Sequence, residues 1–321
     1  MGGTIISGVP QGSILGPLLF CIFINDLPLI VSAKDSSTNK QSIVTNDLFA
    51  DDASLYSSNN NPSIIEASLQ NSLNITSQWC KNNRMVIHPD KTKCMMITTR
   101  QKHQKNASSL NLFINDSQIQ QVDRHRVLGV TLDKEFKWLP HLENVLKHVS
   151  RNLYLFSRVK HFADQESMLL FFYGHFLPSI NYASNLWDSC ADLHIKKLNA
   201  CHRRAIKIIH SGKDLSTDEK FKQLGVLTLE KQLQLNKAVF MYKTVNNFAP
   251  EYLDIYVKKA TFRYGSTNLI IPPTRIDLYK SSLSFSGSLL WNSIPKHIRN
   301  KSTVSGFKTC FKKYLLSSLN G

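Results

Sequence analysis

Phe49-Ala50-Asp51-Asp52 constrains the fold of this chain more than any other stretch. An apolar run precedes it (Ile43, Val44, Leu48, Phe49) and a short alternating run follows (Ala53, Leu55, Tyr56). This pattern predicts a tight hairpin with two carboxylates at its tip. Adjacent acids repel unless something positive neutralises them, and hard oxygen donors suit Mg²⁺ or Mn²⁺. Taken alone, the pair also reads as an ordinary polar turn, because Asp favours turns. The surrounding motifs separate the two readings.

Charge is unevenly placed along the 321 residues. The formal net charge is +16 and the pI about 9.6. Residues 1–60 carry two basic and five acidic side chains, residues 61–135 ten and six, and residues 136–321 twenty-seven and twelve. An acidic front thus precedes a strongly basic back, and a basic surface of this size attracts polyanions, nucleic acid first. Hydrophobic residues make up 42%, enough for a real core and too many for global disorder. The six cysteines form no C-x-x-C pair and no zinc spacing, which predicts reduced thiols in an intracellular protein, nuclear or cytoplasmic. Ile14–Val31 is the only long apolar run. Asn25, Asp26 and two prolines interrupt it, and no basic residue precedes Lys34. Neither a membrane span nor a signal peptide is expected.

Gly8-Val9-Pro10-Gln11-Gly12-Ser13 reads as a loop, with Ser13 capping a helix through Leu15, Leu18, Leu19, Ile22 and Phe23. Periodicity predicts a helix over Pro62–Asn83. Short strands are expected at Arg84–Ile87 and Cys94–Thr98, and a small hairpin turning at Asn115-Asp116. Val127–Leu132 reads as one β-rich strand. Beyond Leu139 helices are expected at about His141–Val159, Gln165–Phe176, Asp192–Ile209, Leu229–Asn246 and Phe307–Leu319. The third sets Ile195, Leu198, Ala205 and Ile209 on one stripe. Lys196, Lys197, Arg203, Arg204 and Lys207 fall elsewhere, forming a solvated face or a phosphate-binding one.

Four ordered stretches of the first half carry a family resemblance. Gly8 to Leu19 resembles the G-x-P-Q-G-S motif of reverse transcriptases, and Asn25-Asp26-Leu27 continues it as in LINE-type, non-LTR retrotransposon enzymes. Phe49 to Asp52 resembles their aromatic-x-Asp-Asp palm motif. Trp79, Asn83, Met85, Lys91-Thr92 and Met95 are similar to the next one, with His88 where Asn is more usual. Leu128 to Asp133 resembles the strand pair that grips a primer terminus. The second half resembles the carboxyl-terminal region of the second open reading frame in jockey-like clades, through Leu177-Pro178, Tyr182, Trp187, Phe240–Lys243, Ala249-Pro250 and Leu290–Pro295.

The resemblance implies an α+β fold. A partial right-hand palm over 1–135 leads into a helical, thumb-like basic domain over 136–260 and an extension over 261–321. It implies RNA-directed DNA polymerisation by two-metal nucleotidyl transfer, with RNA template, DNA primer and deoxynucleoside triphosphates as partners. No membrane and no small-molecule cofactor are implied. Asp51 and Asp52 become the metal ligands and Lys91 the acid or positive charge beside pyrophosphate. Pro10, Gln11, Gly12, Ser13, Phe49 and Ala50 line the nascent pair. Leu128, Gly129 and Val130 hold the primer end, and the basic helix from Asp192 holds nucleic acid. Family members carry fingers strands and a first palm Asp before the Pro-Gln-Gly loop, whereas seven residues precede Gly8. The two-ion site is therefore expected to be incomplete, the isolated chain inactive and the apolar helix poorly soluble. The alternative is a catalytically inactive relic that at most binds nucleic acid.

Overall fold

A computed structural model describes residues 12–31, 44–105, 109–190, 192–210, 212, 214–257, 268–275 and 277–318. The chain forms two compact units: residues 1–125 with 134–136, and residues 126–133 with 137–321.

In the first unit α1 (Gly16–Ile24) starts with Pro17 in its first turn, where the missing N–H costs nothing. The N-cap position falls to Leu15, which makes no side-chain cap bond, so Ser13 is not the cap expected; its Oγ accepts from Gly16 N at 3.1 Å from two residues before that position. Of the residues in α1 only Gly16 is buried; Leu18, Leu19 and Ile22 face solvent. A short α2 (Leu27–Val31) buries Leu27 and Val31 against Trp79 and Cys80.

The spine of this unit is α3 (Pro62–Asn82), capped by the Asn61 side chain, which accepts from Ser63 N. Ile75, Trp79 and Cys80 serve one core together with Leu48 and Leu55 of a hairpin, β1 (Val44–Phe49) and β2 (Asp52–Ser57). Leu69 and Leu73 serve a second core with Leu110, Leu112, Ile114 and Ile119. Arg84–Ile87 is not a strand. Met85 N bonds back to Cys80 O at 2.8 Å and Arg84 adopts φ 56°, so the end of α3 takes up Arg84 and Met85, and Val86 and Ile87 follow in irregular chain.

The remaining strands are short. Only β3 (Lys93–Cys94) forms from the expected Cys94–Thr98 strand, and it pairs in parallel with β6 (Gln120–Gln121). Helix α4 (Arg100–Lys105) lies between β3 and a small hairpin, β4 (Phe113–Ile114) and β5 (Ser117–Gln118). Asn115 and Asp116 turn that hairpin at φ 47° and 65°, as a two-residue primed turn requires.

The second unit opens on a hairpin where the residue pattern predicts one strand and the family resemblance a strand pair. It comprises β7 (Arg124–Val127) and β8 (Val130–Asp133), with the turn at Leu128-Gly129. Residues 126–133 of it belong to this unit. Both turn residues have positive φ, 46° and 83°. Leu is not a turn-forming residue, so the run Val-Leu-Gly-Val hid the reversal.

Helices then follow: α5 (Leu139–Val159), α6 (Gln165–Phe171), α7 (Leu177–Asn181), α8 (Ser184–Trp187), α9 (Asp192–Ile209), α10 (Thr217–Gln223) and α11 (Leu229–Val245). The expected Gln165–Phe176 helix widens into a π turn over Phe172–Phe176 and continues as α7. The widened turn stacks Phe172 and Phe176 on the ring of His202, with centroids 5.6 and 5.9 Å away.

Short helices α12 (Asp277–Lys280), α13 (Ser288–Ser293) and α14 (Lys296–Arg299) lead to α15 (Val304–Ser317). Helix α11 joins two apolar cores: Leu229 and Leu233 belong to the α5–α9 core. Leu235, Ala238, Met241 and Tyr242 pack with Trp291, Phe307 and Phe311. The molecule is thus of mixed helix and strand, with the helices dominant in its second unit. Among the described residues no helix is long and apolar enough to cross a membrane.

Candidate functional site

Antiparallel register pairs Phe49 with Asp52, leaving Ala50-Asp51 as the whole turn. Alternation sends Val44, Asn46 and Leu48 inward and Thr45, Asp47 and Phe49 outward. Asp52 lies opposite Phe49 and therefore shares the outward face, while Asp51 projects from the turn. Both carboxylates are exposed, as are Phe49 and Ala50. Ala50 holds φ 53°, a left-handed conformation that Ala adopts at a cost.

The donor set suits part of a divalent-metal site. Two hard carboxylates sit side by side, and among the described residues no group of three His, Cys, Asp or Glu side chains gathers to hold a metal.

Other expected residues of the first unit lie as follows. Pro10 and Gln11 lie outside the described residues. Gly12 has φ 85°, and Ser13 Oγ accepts from Gly16 N at the start of α1. Lys91 is exposed in a turn whose amides, Lys91 N and Thr92 N, both bond His88 O at 3.1 Å. Asp26, far from Trp79 in sequence, accepts from its indole Nε1 at 3.2 Å, and Phe23 lies against the same indole. Two residues of separate motifs therefore meet beneath the hairpin, in the core that also holds Leu48 and Leu55.

In the second unit the tip Leu128-Gly129 and strand residue Val130 form one hairpin. Thr131 N bonds His141 Nδ1 at 3.4 Å, and Asn144 Nδ2 bonds Thr131 Oγ1 at 3.3 Å. Asp133 accepts from Lys137 N and Trp138 N at 3.1 and 2.7 Å, closing the hairpin onto the start of α5. Burial, together with the neighbouring Arg126, holds the His141 ring below its usual pKa and so favours the neutral acceptor form.

The basic helix is α9, and the structure separates its five cations. Leu198, His202, Ala205, Ile206 and Ile209 form the buried stripe, while Lys196, Lys197, Arg204 and Lys207 are exposed. Arg203 is held by Asp218 at 2.7 Å. Sequence reasoning missed a companion on α5. Lys147, Arg151, Tyr154 and Arg158 recur at spacings of four, three and four and are all exposed. Arg158 lies over the Tyr154 ring at 5.9 Å. Helix α5 packs along α9, with Ser150 bonded to Cys201, and Lys197 and Arg204 lie one turn either side of Cys201. The polar spacing on α5 was readable, but only packing showed that it adjoins the α9 cations.

Residues 3–132 match the family of reverse transcriptases (RNA-dependent DNA polymerases). The chain is 26% identical over 211 residues to the probable RNA-directed DNA polymerase from transposon BS of Drosophila melanogaster, covering 63% of this chain and 22% of that protein. It is 22% identical over 279 residues to the probable RNA-directed DNA polymerase from transposon X-element of the same fly, covering 85% and 28%. The RNA-directed DNA polymerase from mobile element jockey, also of Drosophila melanogaster, is 23% identical over 232 residues, covering 69% and 24%. The chain thus spans about a quarter of the length of these curated relatives. No solved structure matches it significantly. The Asp51-Asp52 hairpin lies within the segment, residues 3–132, that is similar to reverse transcriptases, and the relatives matched along the chain are RNA-directed DNA polymerases of transposons and mobile elements.

Proposed function

We propose that this chain is the palm-to-thumb segment of an RNA-directed DNA polymerase, acting on an RNA template, a DNA primer and deoxynucleoside triphosphates. The observation that carries the reading is the exposed pair Asp51 and Asp52 at a hairpin turn inside the family-matched segment. Asp51 is the principal ligand for Mg²⁺ or Mn²⁺ and Asp52 the supporting acid. A metal bound there would offset negative charge developing on phosphoryl oxygens. Phe49, Ala50, Gly12 and Ser13, with Pro10 and Gln11, orient the nascent pair. Lys91 supplies positive charge near departing pyrophosphate. The Leu128–Val130 hairpin holds the primer end, and the thumb-like part is the helical second unit.

A second reading, nucleic-acid binding without catalysis, is favoured by the exposed cations of α5 and α9 beside Tyr154. Such a face takes a phosphate backbone with little sequence preference and a steep salt dependence.

Mn²⁺ binding followed by electron paramagnetic resonance, together with primer extension on an RNA template, tests both readings. The expected result is Mn²⁺ bound by the wild type and lost in Asp51→Asn. Extension abolished by Asp51→Ala establishes the full reaction. Metal binding without extension supports the segment as part of a larger site. Absence of Asp51-dependent Mn²⁺ binding overturns the polymerase reading and leaves the nucleic-acid-binding one.

A further inference from the structure

Tyr182 follows α7 in extended conformation, and the next residue, Ala183, turns the chain at φ 51° into α8. The side chain is half-exposed, yet its hydroxyl donates to the carbonyl of Leu128, 54 residues away at the hairpin tip. Its ring also flanks Gly129. A Cβ at Gly129 would stand 3.4 Å from Tyr182 Cε1 and 3.6 Å from its hydroxyl oxygen. Both tip residues hold left-handed φ, so the bond falls on a carbonyl already fixed in direction by the turn.

Behind Tyr182 the support is buried and hydrogen-bonded. Its own carbonyl accepts from Trp187 Nε1 at 3.3 Å, and Trp187 is fully buried. The indole lies against the His141 ring, centroids 6.3 Å apart. His141 in turn takes the Thr131 amide of the same hairpin. A closed circuit therefore runs from the tip, through Tyr182, Trp187 and His141, back to the second strand. No apolar burial accounts for the Tyr182 hydroxyl's placement, because the tip it holds is itself exposed: Leu128 is 43% and Tyr182 56% accessible.

We infer that Tyr182 is a positioning residue. It fixes the height and direction of the Leu128-Gly129 tip, and with them the place where a primer 3′ end rests. The second clause depends on the polymerase reading; the first does not. Tyr182→Phe keeps the ring and removes the one bond, while Tyr182→Ala removes both ring and bond.

Two measurements on the full chain decide the matter. Amide hydrogen exchange across 126–133 should quicken about fivefold in Tyr182→Phe and more in Tyr182→Ala, with the α5–α9 core unchanged. Affinity should then be compared for a primer–template with a recessed 3′ end and a blunt duplex of equal length. Wild type should prefer the recessed end. Tyr182→Phe should lose most of that preference while keeping the same salt slope, which a merely structural role would not produce. Unchanged exchange in both variants overturns the assignment. So does a recessed-end preference that survives in Tyr182→Phe. A wild type without any such preference overturns the primer-grip reading of the hairpin itself, and the exchange result identifies that failure as separate from the brace.

Discussion

Phe49 and Asp52 face each other across the first hairpin, so the reversal of the chain is accomplished by Ala50 and Asp51 alone. This pairing puts one acid in the turn and the other on the outward face of a strand. Their exposure follows from the register, because a shift of one residue would turn Asp52 toward Leu48 and Leu55.

The turn also sets the first prediction. Ala50 occupies a left-handed conformation at φ 53°. Ala50→Gly should raise stability slightly or leave it level, and Ala50→Val should lower it by about 1–2 kcal/mol. Urea denaturation of the two variants checks the ordering, and a Val variant as stable as wild type would contradict it.

A buried ion pair sets the second. Lys237 Nζ lies 2.8 Å from Asp188 Oδ2, with side chains 12% and 6% exposed, and also bonds Ser286 Oγ. Burial pushes the Asp188 carboxyl above its usual range, and Lys237 opposes that shift. Lys237→Ala leaves an uncompensated buried charge and should cost about 3–5 kcal/mol. Replacing both residues by Leu and Met should cost less than that single change. The sign of the pH effect follows from the raised carboxyl. A folded state that holds this proton more tightly than the unfolded chain loses stability as pH rises above the carboxylate range. Lys237→Ala should therefore recover part of its loss on acidification, as measured by thermal melting at several pH values.

His202 sets the third, with the opposite sign. Its ring is fully buried among Phe172, Phe176 and Phe221, and burial lowers its pKa to about 3. Neither ring nitrogen has a hydrogen-bond partner. The unfolded chain takes up this proton near pH 6.5 and the folded one does not. The stabilisation is complete above that pH and declines below it, by about 1.4 kcal/mol per pH unit at the steepest. His202→Phe, which keeps a ring in the stack, should flatten the acid limb of the stability profile.

The cations of α9 set the fourth. Arg203 is occupied by Asp218, whereas Arg204 is exposed beside α5. Arg204→Ala should weaken binding to duplex nucleic acid and lower the salt slope by about 1, and Arg203→Ala should change the slope less. Lys147→Ala and Arg151→Ala on α5 should resemble Arg204→Ala. Titrations at several salt concentrations distinguish these outcomes, and equal slopes for Arg203→Ala and Arg204→Ala would count against this face.

Local features were legible wherever neighbouring residues decide the conformation. Helix α3 and helix α9 follow their apolar periodicity within a residue of the expected ends. The turn at Asn115-Asp116 follows from residues that tolerate left-handed φ. Residue pattern alone did not show the hairpin at Leu128-Gly129, although the family resemblance implied a strand pair there, because Val, Leu, Val and Thr favour strand and Leu at φ 46° is held by tertiary contacts. Arg84–Ile87 misled for the reverse reason: the end of α3 took Arg84 and Met85, and Val86 and Ile87 form no strand.

By itself the sequence determined the acid pair at a turn, the amphipathic helices and the basic character of the second half. Spacing and charge are properties of neighbouring residues and need no partner. Tertiary structure decided which groups meet across long separations: Asp26 with Trp79, Tyr182 with Leu128, Lys237 with Asp188, Arg203 with Asp218. Each of these pairings depends on packing and on satisfying polar groups where elements meet, and those requirements arise only once the apolar faces have closed. Of five cations that one helix offered as equals, packing leaves four exposed and ties the fifth to a carboxylate.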